Sequence, residues 1–272
     1  MPIRPAHATE LSRRHHADQP LIVLNAWDAA SAAIAERVGA RCVGTTSGGV
    51  AGAHGYQDGE RIPRAVMLAA VERIAAATSL PVTADLEGGY GATPEQVAET
   101  IRLALDIGVA GFNLEDSYSA ERRAAGGPPL RTIAEQSERL RAAREACEAS
   151  GVPDAVINAR VDVFVREIGT PEQRLDLALE RAAAYVAAGA SCLFPITLKD
   201  RDTIRAFTAA AGAPVNILYL PGAPSLAELS TLGVRRVSLG TGWYRLALGA
   251  AESAARAVIG EGKIERIWEK GA

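Results

Sequence analysis

The sequence predicts an α/β protein with the (β/α)8 architecture of a TIM barrel, and two observations carry this prediction. Short apolar runs alternate with amphipathic segments of helical period along nearly the whole chain. Five of these segments end at a glycine just before the next apolar run, where left-handed helix caps place glycine. Eight strand–helix units in about 240 residues are typical of this barrel. A doubly wound open sheet is the alternative, although it usually has fewer strands and a Gly-rich nucleotide-binding turn.

The apolar runs are predicted to be the strands. Most of them are continuously apolar, as parallel strands are when both of their faces are buried. In chain order they span residues 21–27, 42–46, 81–87, 111–115, 155–161, 192–197, 214–220 and 236–240.

The segments between these runs are predicted to be helices. Thr-Pro-Glu at residues 93–95 begins one of them, with Thr as the N-cap, Pro at the first helical position and an acid near the positive helix end. The same tripeptide at residues 170–172 is expected to begin another. The glycines that end helices are Gly39, Gly108, Gly151, Gly189 and Gly233.

No linker or change of composition divides the chain, so residues 1–272 are expected to form a single barrel domain. Residues 1–19 should form an N-terminal cap, with a short helix over residues 9–15 that closes the bottom of the barrel. Residues 246–272 should form a C-terminal helical extension. The amphipathic stretch 263–268 suits docking on a neighbouring subunit, or packing on its own barrel.

The composition excludes several classes of protein. The chain has 272 residues, a formal net charge of −3, 48% hydrophobic residues and 22% charged residues, which excludes wholesale disorder. The near-neutral charge gives no reason to expect nucleic acid or a membrane surface as a partner. No apolar run approaches the roughly 20 residues that span a bilayer. The absence of a secretory signal, and three widely spaced cysteines without a CxxC motif, predict a cytoplasmic protein with reduced thiols.

Three carboxylates follow adjacent predicted strands, at the barrel end where function is expected. Asp85 and Glu87 end the third strand and share a side by its two-residue period, and Glu115 ends the fourth. These acids would repel one another unless a divalent cation or shared protons relieved them. Oxygen donors without a His or Cys cluster favour Mg²⁺ or Mn²⁺ over zinc. Alternatively, the acids cap helices or pair with arginine.

Residues suited to binding an anion follow three other strands. Gly48 and Gly49, with Ser47, let backbone N–H groups approach a ligand closely, although Gly-Gly also forms ordinary turns. Arg160 lies in an apolar run, either as a clamp for a substrate carboxylate or as a structural partner of the acids. Asn216 either contacts the ligand or caps the backbone at a strand end.

Five motifs occur in order along the chain. They are NAWDAASA at residues 25–32, TTSGGVAG at 45–52, PVTADLEGGYG at 81–91, NLED at 113–116 and NARVD at 158–162. Together they resemble the isocitrate lyase/phosphoenolpyruvate mutase superfamily over about residues 20–245. The resemblance implies a (β/α)8 barrel whose last helix is commonly exchanged between subunits, in a homodimer or a tetramer made of two dimers. It also implies Mg²⁺ and a 2-oxo acid, or its enolate, bound through carboxylate and oxo oxygens.

The resemblance also implies roles for individual residues. Asp85 looks like the direct metal ligand, Glu87 and Glu115 like metal-shell carboxylates that act partly through water, and Asp58 like a fourth acid. Arg160 looks like the substrate-binding arginine, and with Asp58 and Glu115 it forms the expected catalytic group. The other substrate-binding residues that we expect are, in chain order, Trp27, Asp28, Ser47, Gly48, Gly49, Asp85, Asn113 and Asn216.

Residues 117–130 depart from the pattern of the superfamily. Its lyases carry a Lys-Lys-Cys-Gly-His-type loop here, whose cysteine protonates the leaving enolate, and its mutases and phosphonopyruvate hydrolases carry Lys-x-Asn. This chain has neither, so cleavage of isocitrate or methylisocitrate by the usual route is not expected. The segment is either a mobile lid or a surface loop, and Arg122 and Arg123 could place charge over a closed site. His54 is interpreted first as a loop histidine and second as a proton donor.

The leading hypothesis is a Mg²⁺-dependent lyase or decarboxylase that acts on a small 2-oxo carboxylate through a metal-stabilised enolate. Oxaloacetate decarboxylation is the simplest such reaction, because it needs no specialised acid loop. Cleavage of a C–C bond in a 2-hydroxy acid and of the P–C bond in phosphonopyruvate are the enzymatic alternatives. The non-enzymatic alternative is a 2-oxo acid binding protein that kept its metal site and lost its acid–base loop.

Overall fold

Eight parallel strands form one sheet in the computed structural model, which describes residues 3–268. The strands are Leu21–Ala26 (β1), Val43–Thr45 (β2), Val82–Asp85 (β3), Gly111–Glu115 (β4), Val156–Val161 (β5), Cys192–Pro195 (β6), Asn216–Leu218 (β7) and Arg236–Ser238 (β8). Each strand pairs with its neighbour in sequence from β1 to β6, β1 also pairs with β8, and β8 pairs with β7. A bridge between Leu193 and Val215 joins β6 to β7. The predicted (β/α)8 barrel is therefore confirmed.

Several strands are shorter than the apolar runs that predicted them, and β8 shows why. Its run continues through Leu239 and Gly240, but the N–H groups of these two residues donate to Oδ1 of Asn25, at 2.8 and 3.0 Å, instead of to a strand. A side chain on β1 thus accepts the backbone hydrogen bonds that a neighbouring strand would otherwise accept. Apolar character alone does not reveal this change of partner.

Helices alternate with the strands, and two short ones lie in loops at the carboxyl end of the barrel. They are Pro5–His15 (α1), Ala29–Arg37 (α2), Ser47–Ala53 (α3), Arg64–Ala76 (α4), Pro94–Asp106 (α5), Ala120–Ala124 (α6), Ile133–Ala149 (α7), Arg174–Ala187 (α8), Arg201–Ala210 (α9), Leu226–Thr231 (α10) and Gly242–Glu261 (α11). A 3₁₀ turn covers Ile264–Ile267.

One of the two predicted Thr-Pro-Glu starts is confirmed and the other is wrong. Thr93 caps α5 and forms a capping box with Gln96. Thr170 does not cap a helix, because its carbonyl accepts from the N–H of Gln173 at 3.1 Å and closes a separate turn before α8. Helix α8 therefore begins only at Arg174. All five glycines expected at helix ends have positive φ, as left-handed caps require.

Helix α1 lies against the amino ends of the strands. It begins four residues earlier than the predicted 9–15 and buries Ala8, Leu11 and His15. A Cβ atom built on Gly111, the first residue of β4, would lie 3.0 Å from Cδ2 of Leu11. The absence of a side chain at this strand start thus lets the helix approach the barrel closely.

Helix α11 differs from every other long helix, because none of its residues is buried. Its Ile259 is 87% exposed, and Ile22 on the outer face of β1 is 44% exposed, although that face is normally covered by a helix. The predicted extension 246–272 is thus helical to Glu261, and its last four residues, like residues 1–2, lie outside the described residues. Exchange of this helix between subunits stays a prediction.

The remaining general features concern the thiols and the helices. Cys42, Cys147 and Cys192 are buried free cysteines. Between residues 3 and 268, no helix is both long enough and apolar enough to cross a membrane.

Candidate active site

The carboxyl ends of β3, β4 and β5 bring the predicted site residues to one end of the barrel. In the strand register Asp85 lies beside Asn113, and Glu115 lies beside Arg160. Leu114 points the opposite way and belongs to the apolar core, because successive side chains of a strand alternate. The same strands therefore build the core with one face and the site with the other.

Asp85 is held by two neighbours that the sequence also assigned to the site. Its Oδ2 accepts a hydrogen bond from the backbone N–H of Ser47 at 3.1 Å, and its Oδ1 accepts one from Nδ2 of Asn113 at 3.3 Å. Nδ2 of Asn158 donates to Oδ1 of Asn113 at 2.8 Å, which fixes the orientation of that amide. Both bonds to Asp85 are long, so this carboxylate remains available to a stronger partner.

Arg160 lies between two carboxylates. Its Nη1 is 2.5 Å from Oε2 of Glu115, and its Nε and Nη2 bind the two oxygens of Asp162 at 2.6 and 2.9 Å. Burial lowers the pKa of Arg160, but Asp162 and Glu115 outweigh it and raise the pKa above its usual value. Burial also raises the pKa of Glu115, which Arg160 opposes. Without a ligand, Arg160 is thus the structural partner of the acids, and a substrate carboxylate would compete with Glu115 for it.

Glu87 does not share a strand face with Asp85, because β3 ends at Asp85 and Glu87 has a left-handed backbone with φ of +52°. Its Oε2 accepts from the N–H groups of Gly59 and Glu60 at 2.9 and 2.5 Å, and its Oε1 accepts from the hydroxyl of Tyr90 at 2.6 Å. The argument from the two-residue period was therefore wrong for this residue. Burial raises the pKa of Glu87 to about 8, and the charge on Asp58 adds to the rise.

The acids of the site repel one another. Loss of solvent around its carboxylate and the charge on Asp85 raise the pKa of Asp58, although the residue as a whole remains exposed. The charges on Asp85 and Glu87 likewise raise the pKa of Glu115. A bound cation would relieve this repulsion.

The donor chemistry fits Mg²⁺ held largely by water. Within residues 3–268, no three His, Cys, Asp or Glu side chains are arranged to hold an ion by themselves. Mg²⁺ commonly keeps several waters and takes only one or two carboxylates from the protein. Asp85 with its weak hydrogen bonds suits such a direct ligand, and Glu87 and Glu115 would reach the ion through water.

The stretch Ser47–Gly49 is the first turn of α3 and not an open loop. Thr46 caps this helix, and Oγ1 of Thr46 accepts from the N–H of Gly49 at 3.4 Å. A Cβ atom on Gly48 would lie 2.8 Å from Cγ2 of Thr241 and 3.3 Å from Oδ2 of Asp58. A side chain at this position would therefore clash with Thr241 and crowd Asp58.

Three of the expected binding residues have clear structural partners. Trp27 packs edge-on against the rings of Trp243 and Tyr244, each with its centroid 5.3 Å away. Asp28 is exposed and caps α2, because its Oδ1 accepts from the N–H of Ser31 at 2.7 Å. Asn216 is fully buried at the start of β7, where its Nδ2 donates to Oγ of Ser238 at 3.3 Å, so it lies deep in the barrel and away from the carboxyl ends of the strands. The apolar residues on either side of Asn216 predicted that it lies in a strand, but not how far it lies from the carboxyl end of the barrel.

Residues 117–130 fold over the loop that carries Asp58. A bridge between Ser117 and Leu130 closes the base of the segment. The N–H of Ala120 donates to the carbonyl of Gly59 at 3.1 Å, and a Cβ atom on Gly59 would lie 2.6 Å from Cβ of Ala120. The segment is therefore in contact with the site-bearing loop, as a closed lid would be.

The charged residues of this region are placed differently from one another. The guanidinium of Arg122 lies 3.8 Å above the ring of Tyr118. Arg123 donates to the carbonyl of Tyr118 and is close enough to Glu115 and Arg160 for their charges to shift its pKa, which burial lowers. His54 ends α3, is exposed, and its Nδ1 bonds to the carbonyl of Val50 at 2.9 Å, in keeping with a loop histidine.

A second group of charged residues behind Arg160 was missed from the sequence. The N–H of Asp162 donates to Oδ1 of Asp116 at 2.9 Å, and Oδ2 of Asp116 accepts from Arg181 and from the hydroxyl of Tyr185 at 3.0 and 2.8 Å. These contacts hold Asp162 in place, and the two hydrogen bonds from Arg160 to Asp162 hold the guanidinium in turn. The sequence feature that could have revealed this group is the acid that ends each of the motifs NLED and NARVD, Asp116 and Asp162.

A cavity of about 870 Å³ adjoins the acids without containing them. Its walls include Glu60 and Tyr90, the two residues beside Glu87, together with Arg61, Arg122 and Arg131. Asp85, Glu115 and Arg160 are not among the residues that line it. The cavity therefore lies beside the acids and not over them, and the chemistry belongs to the strand ends.

Comparison with known proteins agrees with this geometry. The chain is 34% identical to 2-methylisocitrate lyase of Escherichia coli over 199 residues, which are 73% of this chain and 64% of that one. It is 33% identical to oxaloacetate decarboxylase of a Bradyrhizobium strain over 168 residues, 61% of this chain and 54% of that one. The crystal structure of a Burkholderia cenocepacia protein superimposes with a TM-score of 0.86 and 44% identity, over 92% of this chain and 99% of that one.

The family model described as phosphoenolpyruvate phosphomutase matches residues 11–259, nearly the whole chain. This match includes all five motifs and every strand of the barrel. The chain therefore belongs to the phosphoenolpyruvate phosphomutase family, and the superfamily resemblance that the motifs predicted is confirmed.

Proposed function

We propose that this chain is a Mg²⁺-dependent carbon–carbon lyase that acts on a small 2-oxo carboxylate and breaks a bond at C3 through an enolate. The observation that carries the proposal is the closeness of a cation site and an anion site. Nδ2 of Asn113 donates to Asp85, and Glu115, two residues further along β4, lies 2.5 Å from Arg160. The expected metal ligand and the expected carboxylate clamp therefore lie at the same strand ends. Similarity to a methylisocitrate lyase and an oxaloacetate decarboxylase supports the reaction class.

In this proposal Asp85 holds the metal directly, while Glu87, Glu115 and Asp58 reach it through water. When bound, Mg²⁺ would polarise the 2-oxo group and share the negative charge that develops as the bond at C3 breaks. Mn²⁺ would satisfy the same oxygen donors.

The residues of the chain bind and enclose the substrate. Arg160 exchanges its contact with Glu115 for the substrate carboxylate and keeps its two bonds to Asp162, so the guanidinium plane stays fixed. The N–H of Ser47, now directed at Asp85, becomes a donor to the ligand once a cation occupies that carboxylate. Asn113 contacts the ligand from β4. The lid, closed on Gly59, excludes bulk water from the enolate.

Decarboxylation is the favoured reaction because the lid offers no Cys, His or Lys as a general acid. Loss of CO₂ from oxaloacetate leaves the enolate of pyruvate, and no proton is needed as the bond breaks. Water can protonate C3 once the lid opens. Cleavage of a 2-hydroxy acid requires a base for its hydroxyl proton, and P–C cleavage requires a phosphoryl acceptor, so both alternatives demand more of this site.

The test is pyruvate release from oxaloacetate, methylisocitrate and phosphonopyruvate, each with Mg²⁺ or with EDTA. We expect EDTA-sensitive release from oxaloacetate, and we expect Asp85→Ala and Arg160→Ala to lower kcat/KM on the order of a hundredfold. Asp202→Ala, at an exposed acid on α9, is the matched control and should keep the wild-type value.

Release that is unaffected by EDTA or by Asp85→Ala would contradict the metal assignment. A 2-oxo acid binding protein is the second candidate, and it is favoured by the absence of a Cys, His or Lys from residues 117–130. Such a protein would show a Mg²⁺-dependent rise in Tm with 2-oxo acids but no turnover.

A further inference from the structure

Unpartnered polar atoms gather in the barrel interior beneath the site. Ten buried side-chain nitrogen or oxygen atoms of the described residues have no hydrogen-bond partner within the chain, and six of them come from inward-facing strand residues and the adjoining end of α1. They are Nε2 of His15, Oγ1 of Thr83, Oδ1 of Asn158, Oδ1 of Asn216, and Nε and Nη1 of Arg236. Thr83 and Asn158 precede Asp85 and Arg160 by two residues, so they face the same interior one level deeper.

Arg236, on β8, is the charged member of this group. It is 1% exposed, and no carboxylate lies within ion-pair distance of it among residues 3–268. Burial lowers its pKa, while Cys192, Cys42 and Asp85 raise it. The next residue, Val237, lies in register with Ile22 on the outer face of β1, so Arg236 faces the barrel interior.

A buried guanidinium needs compensation, because an arginine stays protonated and an unsolvated charge costs several kcal/mol. Water fits this interior better than an anion does. Water can accept from Nε and Nη1 of Arg236 and donate to the amide oxygens of Asn158 and Asn216, whereas a fully deprotonated anion can only accept. The hydroxyl of Thr83 can join in either role.

We propose that ordered water fills the barrel interior between Arg236 and Asp85, and that the charge of Arg236, solvated there but not neutralised, acts on the site from below. This positive charge strengthens the binding of an anionic ligand and weakens the binding of a divalent cation. Arg236 touches neither of them and acts through the field across the interior. The choice of ligands rests on the proposed function.

The water is tested by a crystal structure of the unliganded protein at a resolution that shows ordered water. We expect waters within hydrogen-bond distance of Arg236, Asn216 and Asn158. A dry interior, or a carboxylate turned onto Arg236, would overturn the proposal. Crystals soaked in bromide provide a second test. An anomalous peak at Arg236 would show that an anion occupies the place of the water, and this would also overturn the proposal.

The charge is tested with Arg236→Gln, which keeps hydrogen-bonding capacity without charge, and Arg236→Lys, which keeps the charge. Mn²⁺ binding is titrated by electron paramagnetic resonance, and oxalate binding to the Mn²⁺-saturated protein by calorimetry. In Arg236→Gln we expect the Kd of Mn²⁺ to fall and the Kd of oxalate to rise, each on the order of tenfold. Arg236→Lys should stay near the wild type. Arg235→Gln, at the neighbouring residue that bonds to the carbonyl of Asp18, is the matched control.

Opposite shifts separate an electrostatic role from a structural one, which would weaken both ligands together. Shifts in the same direction, or none, would overturn the role of the charge. If Arg236→Gln fails to fold, Arg236→Lys still decides, because a loss of ligand binding with the charge retained would contradict the proposal. A wild-type protein that binds neither Mn²⁺ nor oxalate would overturn the proposed function and the effect on these ligands together, while diffraction alone decides on the water.

Discussion

Gly59 joins the acids of the site to the lid through its backbone. Its N–H donates to Glu87, its carbonyl accepts from Ala120, and its φ of +101° is a conformation that side chains disfavour. The space beyond its Cα is already taken by Ala120. One residue without a side chain therefore holds both loops together above the strand ends.

Gly59→Ala should separate the lid from the site, whereas Gly55→Ala should not. Both glycines have positive φ, so the backbone conformation should cost each variant about 1 kcal/mol of unfolding free energy in urea, and Gly59→Ala should lose more because of the contact with Ala120. A Cβ atom meets nothing within 4 Å at Gly55, so that variant isolates the backbone cost. Only Gly59→Ala should speed tryptic cleavage after Arg122 and lower kcat/KM. Equal cleavage rates in the two variants would show that the contact with Ala120 does not hold the lid.

Helix ends could be predicted from the sequence where interactions between residues close in the chain determine them. The glycines at helix ends and the Thr93 cap follow from backbone groups within a few residues, and the structure confirms them. The conformation of Glu87 depends on donors from the 59–60 loop, about 27 residues away in sequence. The partner of Asp116 is Arg181, 65 residues further along. The sequence therefore predicted which acids lie at the carboxyl ends of the strands, but not which residues they contact.

Helix α1 makes the stability of the barrel depend on pH through His15. Burial lowers the pKa of His15 to about 3, from 6.5, so the native protein holds the ring neutral while the unfolded chain protonates it. Below about pH 6.5 the unfolded state binds the extra proton, and stability is lost toward pH 3 at up to about 1.4 kcal/mol per pH unit.

His15→Gln should reduce this loss, as measured by urea unfolding between pH 7 and pH 4. His16→Gln, at the exposed neighbour, is the matched control and should keep the wild-type slope. The same slope in wild type and in His15→Gln would show that another group sets the acid sensitivity.

At the scale of the whole molecule, the outer face of one strand is left without a covering helix, and one long helix buries none of its residues. Ile22 and Leu24 of β1, with Val38 after α2, line an apolar groove of about 440 Å³. Helix α11 follows β8, the neighbour of β1, yet buries none of its own residues. Exposed apolar surface of this kind marks an interface, which is consistent with the predicted exchange of α11 within a homodimer or tetramer.

Ile22→Lys and Ile259→Lys should each weaken assembly, because each would place a charge in the apolar contact between α11 of one subunit and β1 of the other. Sedimentation equilibrium should show a dimer or tetramer for the wild type and a smaller species for both variants. Leu103→Lys, at an exposed leucine on α5, should assemble normally. A wild type that is monomeric at micromolar concentration would contradict the exchange.

The three native cysteines leave the protein open to site-specific labelling. Burial raises the pKa of Cys42 and Cys147 to about 11 and that of Cys192 to about 12, so thiolate is scarce at neutral pH and shielded from reagents. A single Glu121→Cys, on the exposed surface of α6, would therefore react with a maleimide dye far faster than the native thiols. Fluorescence from that dye would report in real time whether residues 117–130 move as a lid, without removing any residue of the core.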